Sequence, residues 1–217
     1  RLPMMLSSLK GPVVSAFPSD RAACPQYSTK PAKRQGKSVA ERAGDMLYYT
    51  KRRWQEGTCV QRIEKENYYL DIAETVLERS TCLRRQYGAI IVRNDEIVAT
   101  GYNGAPRGRK NCCDLGYCVR EQMQIPRGER YELCRSVHAE ANCIISASRR
   151  DMLGATLYLA CLDGKTGELL AGTNSCTMCK RQVINAGIQT VIIRDTKDEF
   201  RVIDVNKWIE DDDSLSD

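Results

Sequence analysis

Two short apolar runs, 89–92 and 97–100, flank the pair Asn94-Asp95, and this arrangement limits the fold more than any other stretch of the chain. β-forming residues on either side of two turn-formers predict a hairpin. The segment before it, YYLDIAETVLERS, places Tyr69, Ile72, Ala73, Val76 and Leu77 at helical spacing. After it comes a polar, cysteine-bearing stretch from 103 to about 135. HAEANCIISASRR then reads as a helix and ATLYLA (155–160) as a strand. CTMCKRQVINAG (176–187) reads as a helix stopped by Gly187, and QTVII (189–193) as another strand. FRVIDVNKWIE predicts a further strand and a short helix. A hairpin followed by alternating helices and strands implies an α/β fold, a mixed sheet covered by helices on both faces.

Charge divides the chain into parts. The net charge is +5, but residues 1–53 alone carry 11 Lys/Arg against 3 Asp/Glu. The remainder is therefore net negative, so the high pI gives no argument for a nucleic-acid-binding body. Residues 1–65 read as a basic, loosely attached or disordered extension, with a helix plausible over 38–55. Residues 66–209 read as one folded domain and 210–217 as an acidic, solubilising tail. The run 51–53 reads as a solvated face, and Trp54 and Trp208 as packing residues. No stretch approaches the ~18 apolar residues of a membrane span, and the opening MMLSSLKGPVVSAF is a poor signal peptide. Eleven cysteines without a secretion signal point to metal ligation in a reducing, cytoplasmic setting.

His138 is the only histidine, and Glu140 follows it by two. Cys176 and Cys179 open the later helix as a C-x-x-C pair, where the helix N-terminus favours thiolate. Alone, C-x-x-C fits a redox pair or half of a structural zinc site, and H-x-E says almost nothing. Together they supply one imidazole and two thiolates, the three protein ligands of a catalytic zinc with a position left for water. Glu140 is placed to move protons to and from that water without binding the metal.

H-x-E with C-x-x-C is the zinc deaminase signature. CLRRQYGAIIV, GYNGAPRG, HAEANCIISASRR and CTMCKRQVINAGI together resemble the deoxycytidylate deaminase family over roughly residues 66–195. GYNG-x-P is the narrowest of these motifs. The resemblance implies a three-layer α/β/α cytidine-deaminase-like fold. It also implies hydrolytic deamination of a cytosine nucleotide, dCMP to dUMP, with water attacking C4 and Glu140 protonating N3 and then the departing amine. By the same matching, Asn103 and Gly104 lie against the sugar and 5′-phosphate, and a glycine there lets backbone N–H groups approach an oxyanion. Arg149, in the helix begun by His138, and Arg107 are its phosphate-contacting candidates. Cysteines at the positions of Cys82 and Cys112 hold a structural zinc in some members. Cys82, Cys112, Cys118 and Cys134, with Cys113 as a substitute, are the corresponding set here. Cys143 and Cys161 read as core residues, while Cys24 and Cys59 carry no assignment. The family further implies a small-molecule nucleotide substrate and a homo-oligomer.

The chain departs from the pattern in two places. Ser175 stands where the family usually has Pro, and CLDGKTGELLAGTN makes a long connection into the C-x-x-C. The alternatives are a zinc deaminase acting on another base or on RNA, and a non-catalytic zinc-binding module of regulatory or competence type. Retention of Glu140 disfavours the last.

Overall fold

The computed structural model describes residues 62–126 and 128–211. The helix expected at 38–55, the run 51–53, Trp54, Cys24, Cys59 and the end of the acidic tail lie outside the described residues. Helix α1, Lys65–Leu77, buries Tyr69, Leu70, Ala73 and Leu77 along one face. Strands β1 (Arg85–Arg93) and β2 (Glu96–Tyr102) form the hairpin. Asn94 and Asp95 both take left-handed φ, 51° and 67°, as a two-residue turn between twisted strands requires.

Three more strands follow: β3 (Thr156–Asp163), β4 (Thr190–Arg194) and β5 (Phe200–Asp204). The sheet order is β2-β1-β3-β4-β5. Only β3 and β4 run parallel; the other neighbours are antiparallel. Alternate residues of the central strands feed two cores. Ile90, Val92, Tyr158, Ala160 and Ile192 meet α1 on one face. Ala89, Ile91, Leu157, Leu159, Val191 and Ile193 meet the helices on the other. Those helices are α4 (Ala139–Ile145), α6 (Thr177–Ala186) and α7 (Val205–Glu210). The result is the three-layer α/β/α arrangement.

Two glycines allow this close stacking. A Cβ on Gly88 would lie 2.2 Å from Ala73 O in α1, and one on Gly101 would lie 2.4 Å from Ala139 O in α4. Gly101 thus lets the helix that follows His138 sit directly on β2. Arg194, with no exposed surface, pairs with Asp71 at 2.6 Å and Glu74 at 2.8 Å and clamps β4 to α1.

The stretch HAEANCIISASRR is not one helix. α4 ends at Ile145, and a separate short helix, α5, spans Arg149–Met152. Ser146 turns its hydroxyl back to Asn142 O at 2.8 Å, and Ser148 caps α5 by accepting from Asp151 N. Serines that bond their own backbone favour helix ends over interiors. The connection between β2 and α4 carries two one-turn helices, α2 (Cys112–Leu115) and α3 (Val119–Gln122), and a 3₁₀ turn at Tyr131–Leu133.

Candidate metal centre

His138 and Cys176 occupy equivalent positions, each the extended residue that begins a helix, α4 and α6 respectively. Cys179 lies one turn into α6. Both Cys176 Sγ and Cys179 Sγ stand 3.4 Å from His138 Nδ1, and the three ligand atoms all lie within 4.8 Å of one another. Tetrahedral zinc bonds of ~2.3 Å to sulfur and ~2.05 Å to nitrogen put neighbouring donors about 3.6 Å apart, so this donor set fits zinc. The approach to α4 is pinned from two sides. Val137 N donates to Gly104 O at 2.8 Å and Gly104 N to Val137 O at 3.2 Å. Asn142 Nδ2 donates to Tyr102 O at 2.8 Å.

Glu140, 3% exposed, lies two residues along from His138. Burial pushes its carboxyl up from the ordinary range, against the pull of the His138 charge. The thiol of Cys179 holds Cys176 down at about 4, against burial and with help from His138. The hydrogen bond to Cys176 works the other way on Cys179, whose thiol is pushed up. The cluster is thus set to present anionic sulfur beside a buried acid.

These residues line a cavity of about 100 Å³, shared with Asn103, Arg84, Arg85, Arg120, Tyr131 and Asn174. The Tyr131 ring meets the His138 ring edge-on at 5.3 Å, and the Arg120 guanidinium sits 4.5 Å over Tyr131.

The chain matches the family described as "Cytidine and deoxycytidylate deaminase zinc-binding region" over residues 63–194. It belongs to that family. Among similar proteins, the deoxycytidylate deaminase of Mycobacterium phage D29 is 32% identical over 138 residues, covering 61% of this chain and 96% of the phage protein. That of Schizosaccharomyces pombe is 31% identical over 127 residues, covering 58% of this chain and 36% of the yeast protein. The chain thus spans only about a third of the yeast relative's length. A crystal structure of dCMP deaminase from cyanophage S-TIM5 overlays with a TM-score of 0.44 at 26% identity, covering 62% of this chain and 85% of that one. Among the described residues no helix is long and apolar enough to cross a membrane.

The deaminase motifs do not all converge. Asn103 lines the cavity, but its side chain is occupied. Its Oδ1 accepts from Ser80 Oγ at 2.6 Å and Tyr87 N at 2.8 Å, and its Nδ2 donates to Arg85 O at 2.8 Å. The backbone N–H of Gly104 is bonded to Val137 O, so it is not turned to an anion. The glycine is explained by packing, since a Cβ would lie 3.0 Å from Thr81 Oγ1. Arg107 lies outside the cavity, in a separate groove with Tyr102, Asn142 and Ile145. Arg149 belongs to α5 and not to the helix after His138, and its Nε donates to Asn185 O at 3.2 Å. Asn185 is near the C-terminal end of α6, the opposite end from Cys176, so Arg149 is not brought to the cluster.

Cys82, Cys118 and Cys134 line the same cavity, and Cys112 feels all three. Burial first and then these neighbours push Cys112 up to about 11. Among the described residues, no three of these four sulfurs fall within the 4.8 Å that marks the His138 cluster. Cys113 is half-buried and near its own neighbour Asp114.

The sequence reading missed Arg84, Arg85, Arg120, Tyr131 and Asn174. Arg84 stands just before β1 and Arg85 is its first residue, and their charge close to Cys82 was the available signal. Arg120 and Tyr131 reach the cavity through the irregular connection, which no periodicity marks.

Proposed function

We propose that this chain is a zinc-dependent deaminase that converts dCMP to dUMP with release of ammonia. The observation that carries this reading is the His138, Cys176 and Cys179 donor set with a buried carboxylic acid, Glu140, in one cavity. His138 Nδ1 and the two sulfurs would hold the ion. Zinc, when bound, supplies a Lewis acid that makes water nucleophilic near neutral pH. Glu140 takes one proton from the attacking water at its carboxylate oxygen and delivers it to N3 of the cytosine ring; it then takes the second proton from the new C4 hydroxyl and gives it to the departing amine, so that the C4–N bond breaks as the C4 carbonyl forms and ammonia leaves. Its burial suits both roles, because it raises the carboxyl toward the pH at which it must both accept and donate. The burial of Glu140 itself, 3% exposed, limits competition from bulk water for the same proton.

The test is ammonia release by purified protein from dCMP, deoxycytidine, dCTP, cytidine and adenosine. Release from dCMP at the highest kcat/KM supports the proposal. Preference for adenosine would move the chain to another base, and silence on all five would make it a non-catalytic zinc module.

A second zinc is proposed at Cys82, Cys112, Cys118 and Cys134, favoured by the mutual influence of these four thiols. Closing on an ion would draw the 103–135 connection onto the core. Two zinc equivalents per chain are expected, and one would reject the second site. The substrate is a free nucleotide, the setting cytoplasmic, and the assembly a homo-oligomer, which sedimentation velocity would reveal as a multiple of 24.5 kDa.

A further inference from the structure

Ser175, which stands where the family usually has Pro, immediately precedes the ligand Cys176. A serine there adds two groups that a proline lacks, an N–H and a hydroxyl. The N–H is used: it donates to Asn174 Oδ1 at 2.9 Å. The hydroxyl is not. Ser175 is 5% exposed, and its Oγ is sealed from solvent with no hydrogen-bond partner among the described residues. Leaving a buried hydroxyl unpaired is costly, so such a group calls for a physical reason.

The group within its reach is the carboxyl of Glu140. His138 begins α4 and Cys176 begins α6, and the two starts are held together with Cys176 Sγ 3.4 Å from His138 Nδ1. Glu140 lies two residues after the first and Ser175 one residue before the second, and both side chains are buried at this junction. Burial raises the Glu140 carboxyl, and the Ser175 hydroxyl, donating toward it, opposes that rise. The hydroxyl thus reaches the carboxyl without closing a bond of ordinary geometry. Glu140 lines the cavity together with Cys176, whereas Ser175 is not among its lining residues. Ser175 is therefore placed to act on the acid and not on the substrate.

We propose that Ser175 is a positioning residue for proton transfer: its Oγ–H donates to one carboxylate oxygen of Glu140 and leaves the other turned to the cavity. This rests on the deaminase reading above and gives it a feature that a chain with Pro at this position could not have. The last torsion of a glutamate side chain is broad and roughly two-fold. A donor on one oxygen stops that rotation, so the second oxygen faces the reacting water and N3 of the ring at every turnover. Ser175 itself touches no substrate, and proton movement stays with Glu140.

The experiment pairs kinetics on dCMP with chemical denaturation, both on the zinc-loaded protein. Ser175→Ala should lower kcat by about 10-fold or more, as misplacement of a reacting group does, with KM and zinc content within about twofold of wild type. Ser175→Thr and Ser175→Val have nearly the same shape, and only the first keeps a hydroxyl, so the Ser175→Thr protein should turn over about 10-fold faster than the Ser175→Val protein. Thr173→Val removes another buried hydroxyl without a partner among the described residues, three positions before Cys176, and should leave kcat within about twofold. Equal rates for the Ser175→Thr and Ser175→Val proteins, or a matching loss from Thr173→Val, would overturn the assignment. The denaturation arm reads the contact without turnover. Ser175→Ala should lower the denaturant midpoint in the wild-type background, and leave it unchanged or raise it in a Glu140→Ala background, where the hydroxyl has lost its acceptor. Equal shifts in the two backgrounds would overturn the contact and the proposal with it. A wild type that releases no ammonia from dCMP would remove the proposed activity, while the two midpoints would still decide whether Ser175 holds Glu140.

Discussion

Two groups of cysteine-bearing residues face one cavity, and they are held in different ways. His138, Cys176 and Cys179 ride on the first turns of two helices that pack on the same face of the sheet. Helix starts fix a side chain's direction, and the bridge between Gly104 and Val137 fixes where α4 starts. Cys82, Cys112, Cys118 and Cys134 instead come from the loop between α1 and β1 and from the connection between β2 and α4. Their sulfurs sense one another without closing. A ligand set carried by regular elements is assembled by the fold itself. One carried by a connection waits for its ion to finish the assembly.

The sharpest way to break this contrast is within the first group. Cys176→Ser should remove one zinc equivalent and abolish turnover, while Glu140→Gln should keep the metal and slow kcat by about 10²–10⁴-fold. Metal analysis and steady-state kinetics on the two variants together check this. A Glu140→Gln protein that lacks zinc would mean the carboxylate holds the metal and not the proton.

Next in size is the second group. Cys112→Ser should drop the zinc content from two equivalents to one and cost about 3 kcal/mol or more in chemical denaturation, as loss of a structural metal does. The first zinc should remain, because its donor set is His138, Cys176 and Cys179. If both equivalents leave together, the two groups are one cooperative unit and the contrast fails.

How legible each group was follows from the same difference. The hairpin was readable because Asn94-Asp95 is a local signal, and the helix starts were readable because apolar spacing begins just after His138 and just after Cys176. Ser146 and Ser148 were a local signal too, yet the apolar pattern ran across them, and the break they make carries Arg149 away from the site. Gly104 was read as an anion cradle when its N–H is bonded to Val137, a partner contributed by a distant segment. Arg85 and Arg120 were not readable because their neighbours in space, Tyr87, Tyr131 and the carbonyls of Pro126 and Glu129, are set by tertiary contacts. Position on an element is written locally; occupancy of a side chain's hydrogen bonds is not.

The glycine pair sharpens the point about how α4 is held. A Cβ at Gly101 meets the backbone of α4 at 2.4 and 2.5 Å, whereas one at Gly104 comes no nearer than 3.0 Å, to the Thr81 hydroxyl, and touches no backbone. Gly101→Ala should therefore push α4 and cost about 1–3 kcal/mol, with a fall in zinc affinity because His138 begins that helix. Gly104→Ala should cost less than Gly101→Ala on both measures. Thermal melts with and without chelator compare them; equal effects would mean that α4 is placed by something other than its contact with β2.

The smallest effect concerns the long connection into Cys176. Arg201 donates from Nε to Asp195 Oδ2 at 2.6 Å and from Nη2 to the carbonyl of Thr173, and Asp195 Oδ1 accepts from Gly172 N at 2.7 Å. The turn after β4 thus grips the residues just before the C-x-x-C, the one stretch of the first group that is not on a regular element. The hydrogen bond from the Arg201 guanidinium holds the Asp195 carboxyl below its ordinary value, against burial. A carboxyl lowered on folding stabilises the protein above its unfolded pKa, and that contribution fades as pH falls through the lowered folded value. Asp195→Asn should therefore melt below wild type by under ~1 kcal/mol at neutral pH. The gap should persist down to about pH 4, near the unfolded Asp value, and close as the pH drops further. A gap that is independent of pH would show that Asp195 acts through shape and not charge, and would leave the connection held chiefly by the Arg201 contact to Thr173.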